Sequence, residues 1–250
     1  WRLPFEKNMA GFACVVLVQG YFKKVNNVIY SAKRSVLNQF TRYTSRGIDD
    51  NASPANELEC ELIFCENDQN FVSHCWRRGS VPVRWQTAVS TITVFHQVLE
   101  NDNTKTHTYF NKLAKRYGVS IIHVLSLLEN SGFENELLNS YIKSVEELNF
   151  VDIFNLNLNV IINENSIDKA IDFQKNLQFK YLNEKVFTKG KGDKVYENQG
   201  FIMRFNCVDS TDRTNIGTFF YARALAEFKG IPTFDKELLI PIFLKSGNVI

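Results

Sequence analysis

The sequence predicts an α/β domain, a mixed sheet flanked by helices, and three observations carry that expectation. Strand-like and helix-like stretches mix along the whole chain, with no internal repeat and no clear domain boundary. "NELECELIF" alternates strictly: Glu57, Glu59 and Glu61 fall on one side and Leu58, Cys60 and Leu62 on the other, the period of a strand. From Gly200 to Gly230, strand formers give way to a short polar turn and then to apolar residues at helical spacing.

Taken in order, Phe12 to Phe22 reads as a buried strand broken at Gly20. Asn26-Asn27 marks a turn, followed by a short strand or helix. Thr41 to Asn56 is rich in turn formers and predicts a long ordered loop. Phe71 to Trp76 is a further strand, closed by "RRGSVPVRW", where Gly79 and Pro82 are expected to enforce a bend. From Asn103 to Leu148 the pattern is helical. One helix stops at Gly118, and another carries Leu137, Leu138, Tyr141, Val145 and Leu148 on a single stripe. Asn155 to Asn163 predicts a strand, "IDKAIDFQKNLQF" a helix, and "TKGKGDK" a mobile basic loop. Phe201 to Phe205 is a strand. Ile216, Phe219, Phe220, Ala224 and Phe228 then mark a helix that Gly230 and Pro232 end.

The bulk numbers narrow the class. A chain of 250 residues, 44% hydrophobic and 22% charged, can bury a substantial core. A net charge of +2 argues against nucleic-acid binding driven by bulk electrostatics. Five cysteines without a tight framework suit a reducing compartment. The start "WRLPFEKNMAGFACVVLVQGYF" shows no secretory pattern, and the apolar run Phe12 to Val18 is too short to cross a bilayer. Both ends read as cuts through a longer protein, so residues 1–250 are expected to be the catalytic portion of a larger domain.

The turn between Cys207 and Arg213 carries the chemistry. A strand-to-helix turn gathers backbone N–H groups that lack partners, and the helix dipole adds about half a positive charge. Such surroundings, with a guanidinium beside them, can bring a thiol from about 8.5 to roughly 3.5–7.5. The thiolate of Cys207 can attack phosphorus, Arg213 can hold two phosphate oxygens in a planar fork, and the Thr214 hydroxyl can bond the sulfur. The plain alternative is a buried strand-end thiol beside a surface arginine. Cys60, Cys65, His74 and Cys75 lack the paired spacing of a zinc site, and His96, His107 and His123 sit in apolar or helical settings. A protein tyrosine phosphatase is disfavoured, because Asn206 precedes the cysteine and the five-residue span has no glycine.

"RFNCVDSTDRTN" resembles the signature of the Sac-domain phosphoinositide phosphatases, approximately R-x-N-C-[VI]-D-C-L-D-R-T-N, with Ser210 and Thr211 in place of Cys and Leu. "TRYTSRGIDDNASPANELECE", "RRGSVPVRW" and "YFNKLAKRYG" are similar to further blocks of that family, in order, over nearly the whole chain. "DIFNLNLN" departs from the family's Phe-Asp-Phe-His-like string. The resemblance implies a divergent, plant- or protist-like member that hydrolyses a phosphate monoester on the inositol ring of a membrane lipid. It implies a phosphocysteine intermediate and no metal or other cofactor.

By position, Cys207 is then the nucleophile and Arg213 the clamp, with Asp212 the favoured proton donor and Asp209 either a second candidate or a structural brace. Val208, Ser210, Thr211 and Thr214 would contact the phosphate. Arg42, Arg46, Arg77, Arg78 and Arg84 are candidates for a groove that takes an acidic headgroup, or for solvated surface. The expected partner is a phosphoinositide at a membrane surface, on the cytosolic face of internal membranes, with "TKGKGDK" as a candidate membrane-facing loop. The rival expectation is a weak or inactive Sac-like lipid-binding scaffold.

Overall fold

The computed structural model describes residues 19–38, 46–67, 69–89, 94–99, 103–163, 185–230 and 236–249. β1 (Gly20–Val25) and β2 (Val28–Arg34) form a hairpin, and Asn26 at its turn takes φ +50°, a conformation asparagine tolerates. β3 (Leu58–Cys65) pairs antiparallel with β2 and with β4 (Asn70–Ser80). β5 (Trp85–Val89) and β6 (Val94–Val98) make a separate two-stranded ribbon. Then follow α1 (Thr104–Tyr117), β7 (Ile121–Ser126), α2 (Gly132–Val145), β8 (Val151–Asn155) and α3 (Leu158–Asn163). β9 (Thr188–Lys191), β10 (Lys194–Glu197), β11 (Phe201–Cys207), α4 (Asp212–Phe228) and α5 (Lys236–Val249) complete the described elements.

The main sheet runs β1-β2-β3-β4-β11-β7-β8, antiparallel on the β1 side and parallel from β4 to β8. β11 lies between β4 and β7 and is buried along its full length, as expected for a parallel strand covered on both faces. Phe201, Met203, Phe205 and Cys207 pack into one core with α4 and α5, where Tyr221, Leu225, Leu239 and Phe243 meet Tyr30 and Trp76. Ile202 points to the second core, built from β7, α1 and α2 with Phe110, Leu113, Leu137 and Tyr141. Arg204 follows on that second face, so a guanidinium sits inside the molecule.

That charge is absorbed by a buried network. Arg204 donates to the Tyr109 hydroxyl (Nε, 2.8 Å), the Ser80 carbonyl (Nη2, 2.7 Å) and Asn206 Oδ1 (Nη1, 3.3 Å). Tyr109 in turn donates to Glu57, which also accepts from Arg77, and Arg77 reaches Glu59 at 2.9 Å. The predicted charged face of "NELECELIF" therefore exists but turns into the protein, with Glu57 buried. Leu58, Cys60 and Leu62 fill the opposite core as the alternation requires.

Several expectations are corrected. Gly79 makes no bend: it lies within β4, and a Cβ there would stand 3.0 Å from Arg204 Nη2, so glycine leaves room for that side chain. The helical reading of 103–148 is interrupted by β7, whose short apolar run fits either state by periodicity. Residues 158–163 are helical rather than extended, and the strand lies just before them as β8. "TKGKGDK" is no loop but most of the β9–β10 hairpin, turning at Gly192 with φ +58°. Both glycine-stopped helices form as read, with Gly118 and Gly230 at φ +64° and +79°. Most of the Phe12–Phe22 strand and the helix read at 167–179 fall outside the described residues.

Candidate active site

In open α/β sheets, ligands gather at the carboxyl ends of parallel strands. Here β4, β11 and β7 end together at Ser80, Cys207 and Ser126, and α4 starts five residues beyond the cysteine. Cys207 is fully buried. Its sulfur accepts a hydrogen bond from Thr214 Oγ1 at 3.0 Å and faces Asp209 Oδ1 at 3.4 Å.

The turn is braced from outside. Arg78 donates to the carbonyls of Ser210 (2.7 Å) and Thr211 (3.0 Å) and to Asn215 Oδ1 (3.0 Å). Ser80 Oγ donates to the Val208 carbonyl at 3.0 Å and accepts from the Gly47 amide at 3.1 Å. Asp209 Oδ1 accepts from the Thr211 amide (3.2 Å) and hydroxyl (2.7 Å), so both Thr211 donors turn to that carboxylate. Ser210 takes φ +60°, a conformation that costs a non-glycine residue about 1–3 kcal/mol and clusters at functional sites. Its hydroxyl is buried and has no hydrogen-bond partner among the described residues.

Arg213, in the first turn of α4, does not point to bulk water. Nη1 and Nη2 grip the two oxygens of Glu134 at 2.6 and 2.7 Å, and Nη1 also reaches the Leu127 carbonyl at 3.2 Å. Arg46 lies 3.8 Å from Asp209 Oδ2 and stacks over Trp85, so its charge, like that of Arg78, faces the turn. Arg78 serves the turn as a brace rather than as groove lining. Arg77 is taken by Glu57 and Glu59, and Arg84 pairs with Asp50. Arg42 lies outside the described residues.

The electrostatics differ from expectation at the sulfur. Burial pushes the Cys207 thiol up and the Asp209 carboxylate adds to this; Thr214 and Arg213 pull it down without prevailing. The sequence revealed the guanidinium but not that a carboxylate would face the sulfur at 3.4 Å, nor that Glu134 would offset part of the arginine's charge. For Asp209, burial works upward but is outweighed by hydrogen bonds from Thr211 and Cys207 and by Arg46, so the carboxyl is held below the usual range. Asp212 stands exposed at the first turn of α4.

The β9–β10 hairpin pairs with Asn70–Ser73 of β4, at the opposite end of that strand from Ser80. At about 3.3 Å per residue it lies more than about 20 Å from the carboxyl edge. It is therefore remote from Cys207. Among the described residues no helix is long and apolar enough to cross a membrane, and no cluster of His, Cys, Asp and Glu could hold a metal ion.

With this geometry in place, comparison with known proteins decides the family. Residues 5–178 match the SacI homology domain, well over half of the chain. The chain belongs to the SacI homology domain family. It is 27% identical over 198 residues to inositol-1,4,5-trisphosphate 5-phosphatase 1 of Schizosaccharomyces pombe, a match covering 74% of this chain and 17% of that protein. It is 24% identical over 272 aligned positions to the polyphosphoinositide phosphatase of the same organism, covering 90% of the chain and 31% of that protein. Against phosphatidylinositol-3-phosphatase SAC1 of Saccharomyces cerevisiae it is 24% identical over 222 residues, 80% of the chain and 35% of the relative. The chain thus spans between about a sixth and about a third of these relatives' lengths. The match to the SacI homology domain takes in the 41–61 and 77–85 blocks and ends before β11.

Sequence reasoning missed Ser80 and Glu134. Ser80 ends a strand-like run within "RRGS", a position where a polar side chain could have been noticed. Glu134 gives no signal at all, being an ordinary first-turn acid of an amphipathic helix.

Proposed function

We propose that this chain hydrolyses a phosphate monoester on the inositol ring of a phosphoinositide, through a phosphocysteine at Cys207. One juxtaposition carries the reading: a sulfur at the carboxyl end of the central parallel strand, a hydroxyl 3.0 Å from it on the next helix, and an arginine in that helix's first turn. The names of the relatives, phosphatases of phosphoinositides and inositol phosphates, supply the substrate class.

In this reaction the Cys207 thiolate attacks phosphorus, and the bond from phosphorus to the ring oxygen breaks. Asp212 gives its proton to that oxygen, which leaves as a hydroxyl. Water then attacks the phosphocysteine while Asp212, now a carboxylate, accepts the water's proton. The sulfur–phosphorus bond breaks, inorganic phosphate leaves, and the Thr214 hydroxyl stabilises the departing thiolate. Arg213 holds two equatorial oxygens throughout, where charge builds in the transition state. Ser210, whose buried hydroxyl has no partner among the described residues, supplies a further donor to the phosphate; the Val208 amide lies in the turn and the Thr214 amide in the first turn of α4. Asp209 braces the turn through Thr211 and, held as a carboxylate, is poorly suited to give up a proton. The substrate being a lipid, the reaction takes place at a membrane surface, which we assign to the cytosolic face of an internal membrane.

Phosphate release from a panel of phosphoinositides by the purified chain, and its loss in Cys207→Ser, tests the proposal. Headgroup binding with no release by either protein would instead favour a lipid-binding scaffold.

A further inference from the structure

The geometry points to Glu134 as the positioning residue that presents Arg213 to the phosphate. This rests on Arg213 being the phosphate clamp proposed above. A guanidinium carries five N–H donors in one plane. On Arg213, one hydrogen of each terminal nitrogen meets a Glu134 oxygen, at 2.6 and 2.7 Å. The second hydrogen of Nη1 serves the Leu127 carbonyl at 3.2 Å. Among contacts with described residues, two donors remain: the Nε hydrogen and the second hydrogen of Nη2. These lie parallel along one edge of the plane and match two oxygens of a tetrahedral anion. Arg213 can therefore grip a phosphate without releasing Glu134, and the carboxylate fixes which edge is offered.

Glu134 is itself held in place. Its Oε2 accepts from the Glu129 amide at 2.8 Å. The approach to α2 is pinned by two asparagines: Asn159 Nδ2 donates to Glu129 Oε1 at 2.5 Å, and Asn155 Nδ2 donates to Asn130 Oδ1 at 2.6 Å and the Leu128 carbonyl at 3.3 Å. Both belong to "DIFNLNLN", the stretch that departs from the Phe-Asp-Phe-His-like string. The departure thus gives side chains that anchor the clamp's support.

The test uses the whole 250-residue chain with tungstate as a phosphate mimic, measured by calorimetry, alongside phosphate release from phosphoinositides and a melting curve for each variant. Glu134→Ala is expected to weaken tungstate binding and lower kcat by about 10- to 100-fold, the usual cost of losing an outer partner that orients a ligand-holding group. In an Arg213→Ala background the same change should weaken tungstate no further, because the carboxylate then only repels the anion. Equal weakening in both backgrounds, or none in either, would overturn the assignment. Should Glu134→Ala fold poorly, Glu134→Gln keeps the shape with one acceptor and takes its place in the same comparison. If the parent chain binds tungstate with this pattern but releases no phosphate from any phosphoinositide, the enzymatic proposal falls and the role of Glu134 stands. If it binds no tungstate, the clamp and Glu134's role fall together.

Discussion

Arg204 and Arg213 belong to one strand–turn–helix unit and meet opposite fates. Arg204 is fully buried, and each of its three nitrogens is bonded within the protein, to Tyr109, Asn206 and the Ser80 carbonyl. Arg213 is about one-fifth exposed and gives the protein one end of its fork. What separates the structural arginine from the proposed phosphate clamp is therefore not charge, proximity to the turn or the number of bonds, since each makes three. It is which nitrogens the fold has used. Arg204 has a bond on every nitrogen and ties β11 to β4 and α1. The bonds of Arg213 fall on Nη1 and Nη2 and leave the Nε edge.

The contrast can be broken by exchanging each arginine for lysine. Arg213→Lys should cut kcat/KM by roughly 10²–10³-fold, as for loss of a transition-state donor, because an ammonium cannot offer two parallel hydrogens. Its melting temperature should fall less than that of Arg204→Lys, since Arg213 is about one-fifth exposed and a lysine ammonium can still meet one Glu134 oxygen. Arg204→Lys should do the reverse in kind, costing about 3–5 kcal/mol in denaturant unfolding, because one ammonium cannot serve Tyr109, Asn206 and Ser80 together. An Arg204→Lys protein as stable as the parent would show that the buried network is not what holds β11.

Gly79→Ala sharpens the same point at smaller cost. The added methyl would stand 3.0 Å from Nη2 of Arg204, whose guanidinium is held by bonds to Tyr109, Asn206 and Ser80, so a loss of about 1–3 kcal/mol is expected from overpacking. Asp209→Asn tests the electrostatics around the sulfur. The thiol is raised by burial and then by Asp209, so thiolate, and with it kcat/KM, should rise with pH along the limb that Cys207 controls. Removing the carboxylate's charge takes away one upward cause, and that limb should move to lower pH. A limb that stays in place, or moves upward, would show that Asp209 does not set the nucleophile's ionisation.

Much of this was legible in the sequence because the signals were local. The period-two run at 57–62 placed Leu58, Cys60 and Leu62 in a core, and the helical spacing after Thr214 placed α4. The strand–turn–helix unit that brings Cys207, Thr214 and Arg213 together could be read from one continuous stretch. What failed depended on distant partners. β7 looked helical because six apolar-rich residues carry no period, and only pairing with β11 and β8 makes them a strand. Gly79 looked like a bend because the reason for a glycine there is a side chain 125 positions away on β11. β9 and β10 looked like a loop because lysine and glycine conceal a hairpin whose place is the edge of β4 left beside β11. At the site, Asp209 and Arg213 were named from the sequence. That one would raise the thiol and the other be shared with Glu134 required the third dimension.

The most direct measurement is acid quench of the chain within a single turnover of a phosphoinositide, followed by mass spectrometry of the peptide that holds Cys207. Phosphate should be found on the Cys207 sulfur, and neither the adduct nor release should survive in Cys207→Ser. Steady phosphate release by Cys207→Ser, or release by the parent chain with no trapped phosphocysteine, would contradict a mechanism built on that sulfur and its arginine.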